Sequence, residues 1–320
     1  MNTLEDTQLD VRSSALSNQL HQLLAKQGPG LTRSFALIDA RLRPLEEAHP
    51  LNANSVSCVR IDPRQSRLSA ELCPCLYPVF SDTVSGSVAL AQSVREARDE
   101  LQPDSLQHGS GRRICAWLQS EATASDIARH LAANLLHRHP ESSAVTMLHY
   151  YDPAVLWSLW TVLTDTQRCA FLGPITVWHI LDPHGNLLSL THPAATPPTQ
   201  HATLFLTAAQ WKMLPCIDAL NEVLREPEKL PAQFLLRSID TQRDGILASL
   251  RCAQNLGLDR KKDLAAFART AIRHGADFHR HPDVSQLIAR LGPDDYFCAA
   301  IDELDDAAWH QIKQDLHAHV

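Results

Sequence analysis

Two aspartates stand where strands end, and carboxylates so placed could do acid–base work. Asp39 closes the apolar run RSFALIDA, and Asp152 sits inside LHYYDPAVLWSLWTVL, between a tyrosine pair and a proline. If the two met in space, one would serve as general base and the other as acid. A second account competes for Asp152. Beyond it, Val155, Leu156, Leu159, Trp160 and Leu163 follow helical spacing. Asp152 then occupies the N-cap and Pro153 the first helical position, where a missing N–H costs nothing. On that account Asp152 braces a strand-to-helix corner and stabilises it by about 1 kcal/mol. For Asp39 the competing account is a turn or a buried hydrogen bond.

The other reactive residue types form weaker patterns. Seventeen histidines include the pairs His137/His139, His279/His281 and His317/His319. A metal centre needs three or four converging ligands, each oriented by its own hydrogen bond. These pairs fall at helix ends or the chain terminus, where neighbouring rings diverge, so neither a metal nor a cofactor is expected. The Ser-Gly-Ser of TVSGSVAL lacks the strand–Gly–X–Ser–X–Gly turn of a nucleophile elbow. LQHGSGRR has no Gly-Lys-Ser/Thr and leads into a strand, unlike a phosphate-binding loop. Eight cysteines are scattered mostly through apolar segments, with Cys73-Pro-Cys75 as the only close pair. They read as reduced, structural thiols.

The chain has 320 residues, 44% of them hydrophobic, which suffices for one large domain or two modest ones. A net charge of −7 argues against nucleic acid as a generic partner, since phosphate binding needs a basic stripe. No apolar run reaches the roughly 18 to 20 residues that span a bilayer. MNTLEDTQLDVRSSALSNQL carries neither a basic n-region nor an apolar h-region, so a cytoplasmic location is expected.

The elements that must position these residues are α+β in class: a mixed α/β lobe followed by an all-helical one. Residues 1–30 read as a helical or loose leader and 31–192 as the mixed lobe. RSFALIDA, SRLSAELCPCLYPVF and RRICAWLQ read as strands, with GSVALAQSVREARDEL as a helix between the last two. TASDIARHLAANLLHRHP has a helix signature, with a Thr123/Asp126 capping box and Ile127, Leu131 and Leu135 repeating until Pro140. AVTMLHYY is β-rich, and PITVWHIL-DPHGN-LLSL reads as a hairpin. A Pro/Thr-rich linker spans 193–205. From 206 to 320 the pattern predicts four to six helices. One is capped by Thr207 and Gln210, one starts at Asp259 and ends at Gly275, and one covers HPDVSQLIARLGP. Tyr150, Tyr151, Trp157, Trp160 and Trp178 crowd one region and suit a core or a protein-binding surface.

ALIDA, ARHL, YYDPAVL, FLGPITVW, LTAAQWKML and the tail NLGLDRKKDLAAFARTAIRHGADFHRHPDV occur in an order that resembles the type VI secretion effector adaptor (chaperone) family. The resemblance runs from about residue 33 to about residue 292. It implies that Asp39 matches a Leu-Ile-Asp motif and His130 a His-Leu-Arg motif. Tyr151, Asp152 and Pro153 match Tyr-Asp-Pro, while Gly173, Pro174 and Trp178 match Gly-Pro…Trp. This chain departs from the pattern at His149, Ala154 and Ala132, where the family often has arginines. The implied role is non-enzymatic: a cytoplasmic adaptor that binds a toxic effector protein and hands it to the secretion spike protein. The two lobes would then form a surface or cleft gripping a segment of the effector, with no nucleic acid or membrane as partner. The alternatives are a hydrolase using Asp39 and Asp152 or a histidine cluster, and a structural part of the secretion apparatus.

Overall fold

The structure is a computed structural model that describes residues 3–25, 32–43, 45–52, 58–63, 73–102, 105, 111–142, 144–193 and 203–318. The chain divides into two compact units, Met1–Thr207 and Ala208–Val320. An N-terminal mixed α/β unit and an all-helical C-terminal unit make the class α+β.

The first unit contains α1 (Thr3–Ala25), β1 (Arg33–Ile38), β2 (Val59–Arg60), β3 (Cys75–Val79), α2 (Val84–Asp99) and β4 (Ile114–Ser120). It continues with α3 (Ala124–Ala133), β5 (Leu136–Arg138), β6 (Val145–Met147), α4 (Pro153–Val162), α5 (Asp165–Leu172), β7 (Val177–Leu181) and β8 (Leu187–Thr191). Six strands form a sheet in the order β2-β3-β1-β4-β7-β8, every neighbouring pair antiparallel. Residues 35–38 of β1 and all of β4 are buried without alternation, the pattern of strands covered on both faces.

Alternation assigns those faces. Ala36, Ile38 and Trp117 pack with Leu90 and Val94 of α2 and with Leu16, Leu20 and Leu24 of α1. The expected leader therefore forms a helix whose i, i+4, i+8 leucines belong to the core. Leu118 points to the opposite face, and so does its cross-strand partner Trp178. There Phe171 of α5 meets the Trp178 ring at 5.0 Å between centroids.

The expected helix through HRHP ends early. Asn134 takes the C-cap position of α3, its side-chain amide donates to the His130 carbonyl at 3.1 Å, and residues 136–138 pair with 145–147 as a β-ribbon. Leu135 thus lies beyond the helix although its spacing fits one. Of the reading SRLSAELCPCLYPVF, residues 66–72 lie outside the described residues, and the strand is 75–79. Within 193–205, residues 194–202 also lie outside them, whereas the Leu204 amide donates to Asn134 Oδ1 at 2.7 Å and Leu204 is buried.

The second unit comprises α6 (Ala208–Leu224), α7 (Ala232–Leu235), α8 (Ile239–Asn255), α9 (Lys261–His274), α10 (Pro282–Arg290), α11 (Phe297–Asp302) and α12 (Asp306–Ala318). Among the described residues these seven helices exceed the expected four to six because α7 and α11 are too short to leave a periodic signal. Arg260, not Asp259, is the N-cap residue of α9. Leu264, Phe267, Ala268 and Ala271 form its buried stripe, with Phe267 4.8 Å from Phe278 and 5.7 Å from Phe297 between ring centroids. Pro215 lies inside α6, where proline removes a backbone donor and disturbs the preceding turn. Gln254 of α8 donates to the Lys212 carbonyl in that turn at 2.8 Å. No helix among the described residues is long and apolar enough to cross a membrane.

Candidate functional site

The motif residues gather on and around one face of the sheet, in two connected groups. The first lies at the end of β1. Asp39 is buried and receives three N–H groups from Arg41: the backbone amide at 3.1 Å, Nε at 2.9 Å and Nη2 at 2.5 Å. The two guanidinium bonds make a bidentate pair, the strongest form of carboxylate recognition a side chain offers. The third arm, Nη1, lies 2.7 Å from His149 Nε2. Guanidinium nitrogens only donate, so His149 Nε2 accepts and its proton sits on Nδ1. Burial, and then the Arg41 charge, lower the His149 pKa, which matches this neutral form. The Arg41 guanidinium also lies 5.7 Å from the centre of the Tyr151 ring.

Asp152 performs the local task its spacing suggests. It is the N-cap of α4, Oδ1 accepting from the Ala154 amide at 2.9 Å, with Pro153 in the first turn. The Asp39 pair and the Asp152 corner meet at His149, whose ring accepts from Arg41 at 2.7 Å and whose carbonyl accepts from the Asp152 amide at 3.0 Å. Cys115 is fully buried, and that burial pushes its thiol well above the ordinary range. It occupies a β-bulge: Leu37 pairs with Ala116 and Ile38 with Ile114, leaving Cys115 between the paired positions. Bulges re-aim side chains, and this one sits beside the aspartates. The Tyr151 hydroxyl is buried without a hydrogen-bond partner among the described residues, and burial raises its pKa strongly.

The second group joins α3, α5 and β7. His130 Nε2 donates to the Phe171 carbonyl at 2.8 Å. Gly173 ends α5 with φ +52° and ψ −115°. A β-carbon there would stand 2.3 Å from His130 Cε1, so glycine answers both a backbone and a packing demand. The Pro174 carbonyl accepts from Ser120 Oγ at 2.6 Å. Trp178 is fully buried. Tyr150 connects the two groups: its hydroxyl donates to the Leu131 carbonyl at 2.7 Å, and its ring centre is 5.2 Å from Phe171 and 6.1 Å from Tyr151.

Seven of the eight residues singled out by sequence are tied by bonds or contacts within the scaffold, and Pro153 takes the first turn of α4. Arg41 was missed. It carries the guanidinium that positions 149 and 154 lack, and its separation from His149 by 108 residues leaves no local signal. Ala132 belongs elsewhere, lining a groove with Val59 and Leu136.

A further buried charge cluster also escaped notice. Arg113 bonds to Glu96 Oε2 and lies 3.4 Å from Glu100 Oε1, while His49 Nε2 is 3.1 Å from Glu96 Oε1. Burial raises the Glu96 carboxyl, but bonds from His49 and Gln92 and the Arg113 charge outweigh it and hold the pKa at about 2. Burial dominates at Glu100 and lifts it to about 7, against the Ile114 amide and Arg113. The cluster adjoins the first group, for the Asp39 amide donates to the Arg113 carbonyl at 2.8 Å. Among the described residues, no three His, Cys, Asp or Glu side chains assemble as metal ligands.

Neither the curated proteins nor the solved structures searched contain a match to the chain. Residues 34–170, the stretch from β1 into α5 that carries Asp39, Arg41, His130 and Tyr151-Asp152-Pro153, match the family described as Domain of unknown function (DUF4123).

Proposed function

We propose that the chain is a non-enzymatic adaptor that binds a type VI secretion effector protein and loads it onto the secretion spike protein. The observation that carries this reading is the use to which the motif is put. Its polar groups bond to one another or to the backbone: Asp39 to Arg41, Arg41 to His149, Asp152 to the Ala154 amide, His130 to the Phe171 carbonyl. A motif of this kind is a brace, and a braced scaffold suits a protein whose work is done by its surface. The family match over 34–170 and the motif order support the same reading.

A hydrolase reading draws on the links of Asp39 and Asp152 to His149, the first through Arg41 and the second through the His149 carbonyl. It is the weaker one, because a carboxylate already accepting three N–H groups has little capacity left to take a proton from substrate. A tagged pull-down from the native host, with mass spectrometry, tests the adaptor. Recovery of a toxin together with the spike protein is the expected result. Recovery of neither from a well-folded bait would overturn it.

A further inference from the structure

The segment from Leu291 to Ile312 contains six carboxylates, Asp294, Asp295, Asp302, Glu303, Asp305 and Asp306, and no lysine or arginine. Within this segment and the helix before it, α10 and α11 wall an open groove of about 520 Å³. Its apolar lining includes Leu287, Leu291, Ala299 and Ala300. Three carboxylates line it, Asp283, Asp295 and Glu303, against the single guanidinium of Arg290.

The groove is preformed. Arg260 reaches from the start of α9 to the Pro293 and Asp295 carbonyls and lies 4.3 Å from the centre of the Tyr296 ring. The Gly292 amide is bonded to Asp295 Oδ2 at 2.8 Å. Tyr296 remains 48% exposed, and an amphipathic tyrosine is among the residue types enriched at interfaces. On α10 only Val284 is fully buried, and Leu287 and Ile288 are half-buried, so the helix has apolar surface left over. The small side chains of Ala299 and Ala300 permit close approach of a partner.

We propose that the α10–α11 groove is the docking site for a basic amphipathic helix of a partner protein. The apolar lining would take the partner's i, i+3/i+4 anchors, and the acidic rim would select lysine and arginine beside them. Charge complementarity is what chooses this occupant over a neutral or acidic helix. The inference rests on the adaptor reading and gives it a contact surface.

The probe is a fluorescein-labelled designed helix with leucine on one face and lysine on the other, titrated against the full chain at about 0.15 M salt, where long-range attraction is screened. Binding should be saturable, and absent for the leucine/glutamate counterpart and for a scrambled leucine/lysine peptide. Ala299 is exposed, so Ala299→Trp fills the groove without disturbing a core or the charge, and it should weaken binding at least about tenfold, or roughly 1.4 kcal/mol. Asp283→Lys with Glu303→Lys should do the same. Glu46→Lys with Glu47→Lys, the same charge change in the first unit, should have less than about a twofold effect. The proposal is overturned if Ala299→Trp binds normally, if the control pair weakens binding as much as the groove pair, or if the scrambled helix binds equally. Toxin capture is read separately. Capture by an Ala299→Trp bait that no longer binds the peptide would remove the groove as the seat and leave the adaptor intact. Failure of the wild-type bait would count against the adaptor whatever the peptide does.

Discussion

Arg41 donates to His149 across 2.7 Å while holding Asp39 with its other two nitrogens. One guanidinium thereby ties the end of the central strand to the segment that launches α4.

Removing that guanidinium leaves a buried carboxylate behind. Arg41→Met should cost about 3 kcal/mol in urea unfolding, within the range for breaking a buried pair. Asp39→Asn in the same chain should return part of it. A loss below about 1 kcal/mol, the worth of a surface pair, would show that Arg41 is not a brace.

Gly173→Ala should destabilise by more than about 2 kcal/mol, since it adds left-handed strain to a clash with the His130 ring. Adding His130→Ala should relieve the clash and leave the backbone strain. Equal stability of the single and double variants would contradict this division.

Asp152→Ala should cost about 1 kcal/mol, the usual value of an N-cap side chain, and Asp152→Asn much less. An intact thermal transition for Asp152→Ala, combined with loss of a captured toxin, would make Asp152 a contact residue instead.

Glu100 gives the unit a pH signature. Its pKa of about 7 stands above the 4.5 of an ordinary glutamate. Between those values the folded chain holds a proton that the unfolded chain has released. Its contribution is therefore complete below about 4.5 and is lost as pH rises through 7. The stability of Glu100→Gln relative to wild type should climb across this window by on the order of 3 kcal/mol. A flat difference would refute it. His179 runs the other way: burial lowers it to about 4, so its contribution is present above 6.5 and lost as pH falls through 4. The difference measurement separates the two.

What could be read from the sequence was local. Asp152 and Pro153 announced their corner because the cap, the proline and the helical period lie within a dozen residues. The β7–β8 hairpin was legible for the same reason: Gly185 adopts φ +79° and Asp182 Oδ1 accepts from the His184 and Asn186 amides. β5 was hidden because NLLHRHP keeps a helical look, and the cap that stops α3 depends on Asn134 bonding back to His130. Arg41, the Cys115 bulge and the Arg113 cluster depend on partners far along the chain, which no local window contains. Asp295 and Glu303 were visible as letters, but only the packing of α10 against α11 sets them with Asp283 along one groove.

The order of the sheet bears on how the protein is made. β1 lies in the middle of the sheet, yet it leaves the ribosome before both of its neighbours, β3 and β4. Arg41 then waits for His149, 108 residues later. At about 5 to 20 residues per second that is roughly 5 to 20 s in which Arg41 can hold Asp39 but not His149. The helical unit follows, and its α6 in turn waits 47 residues for the bond that Arg269 of α9 donates to the Glu222 carbonyl.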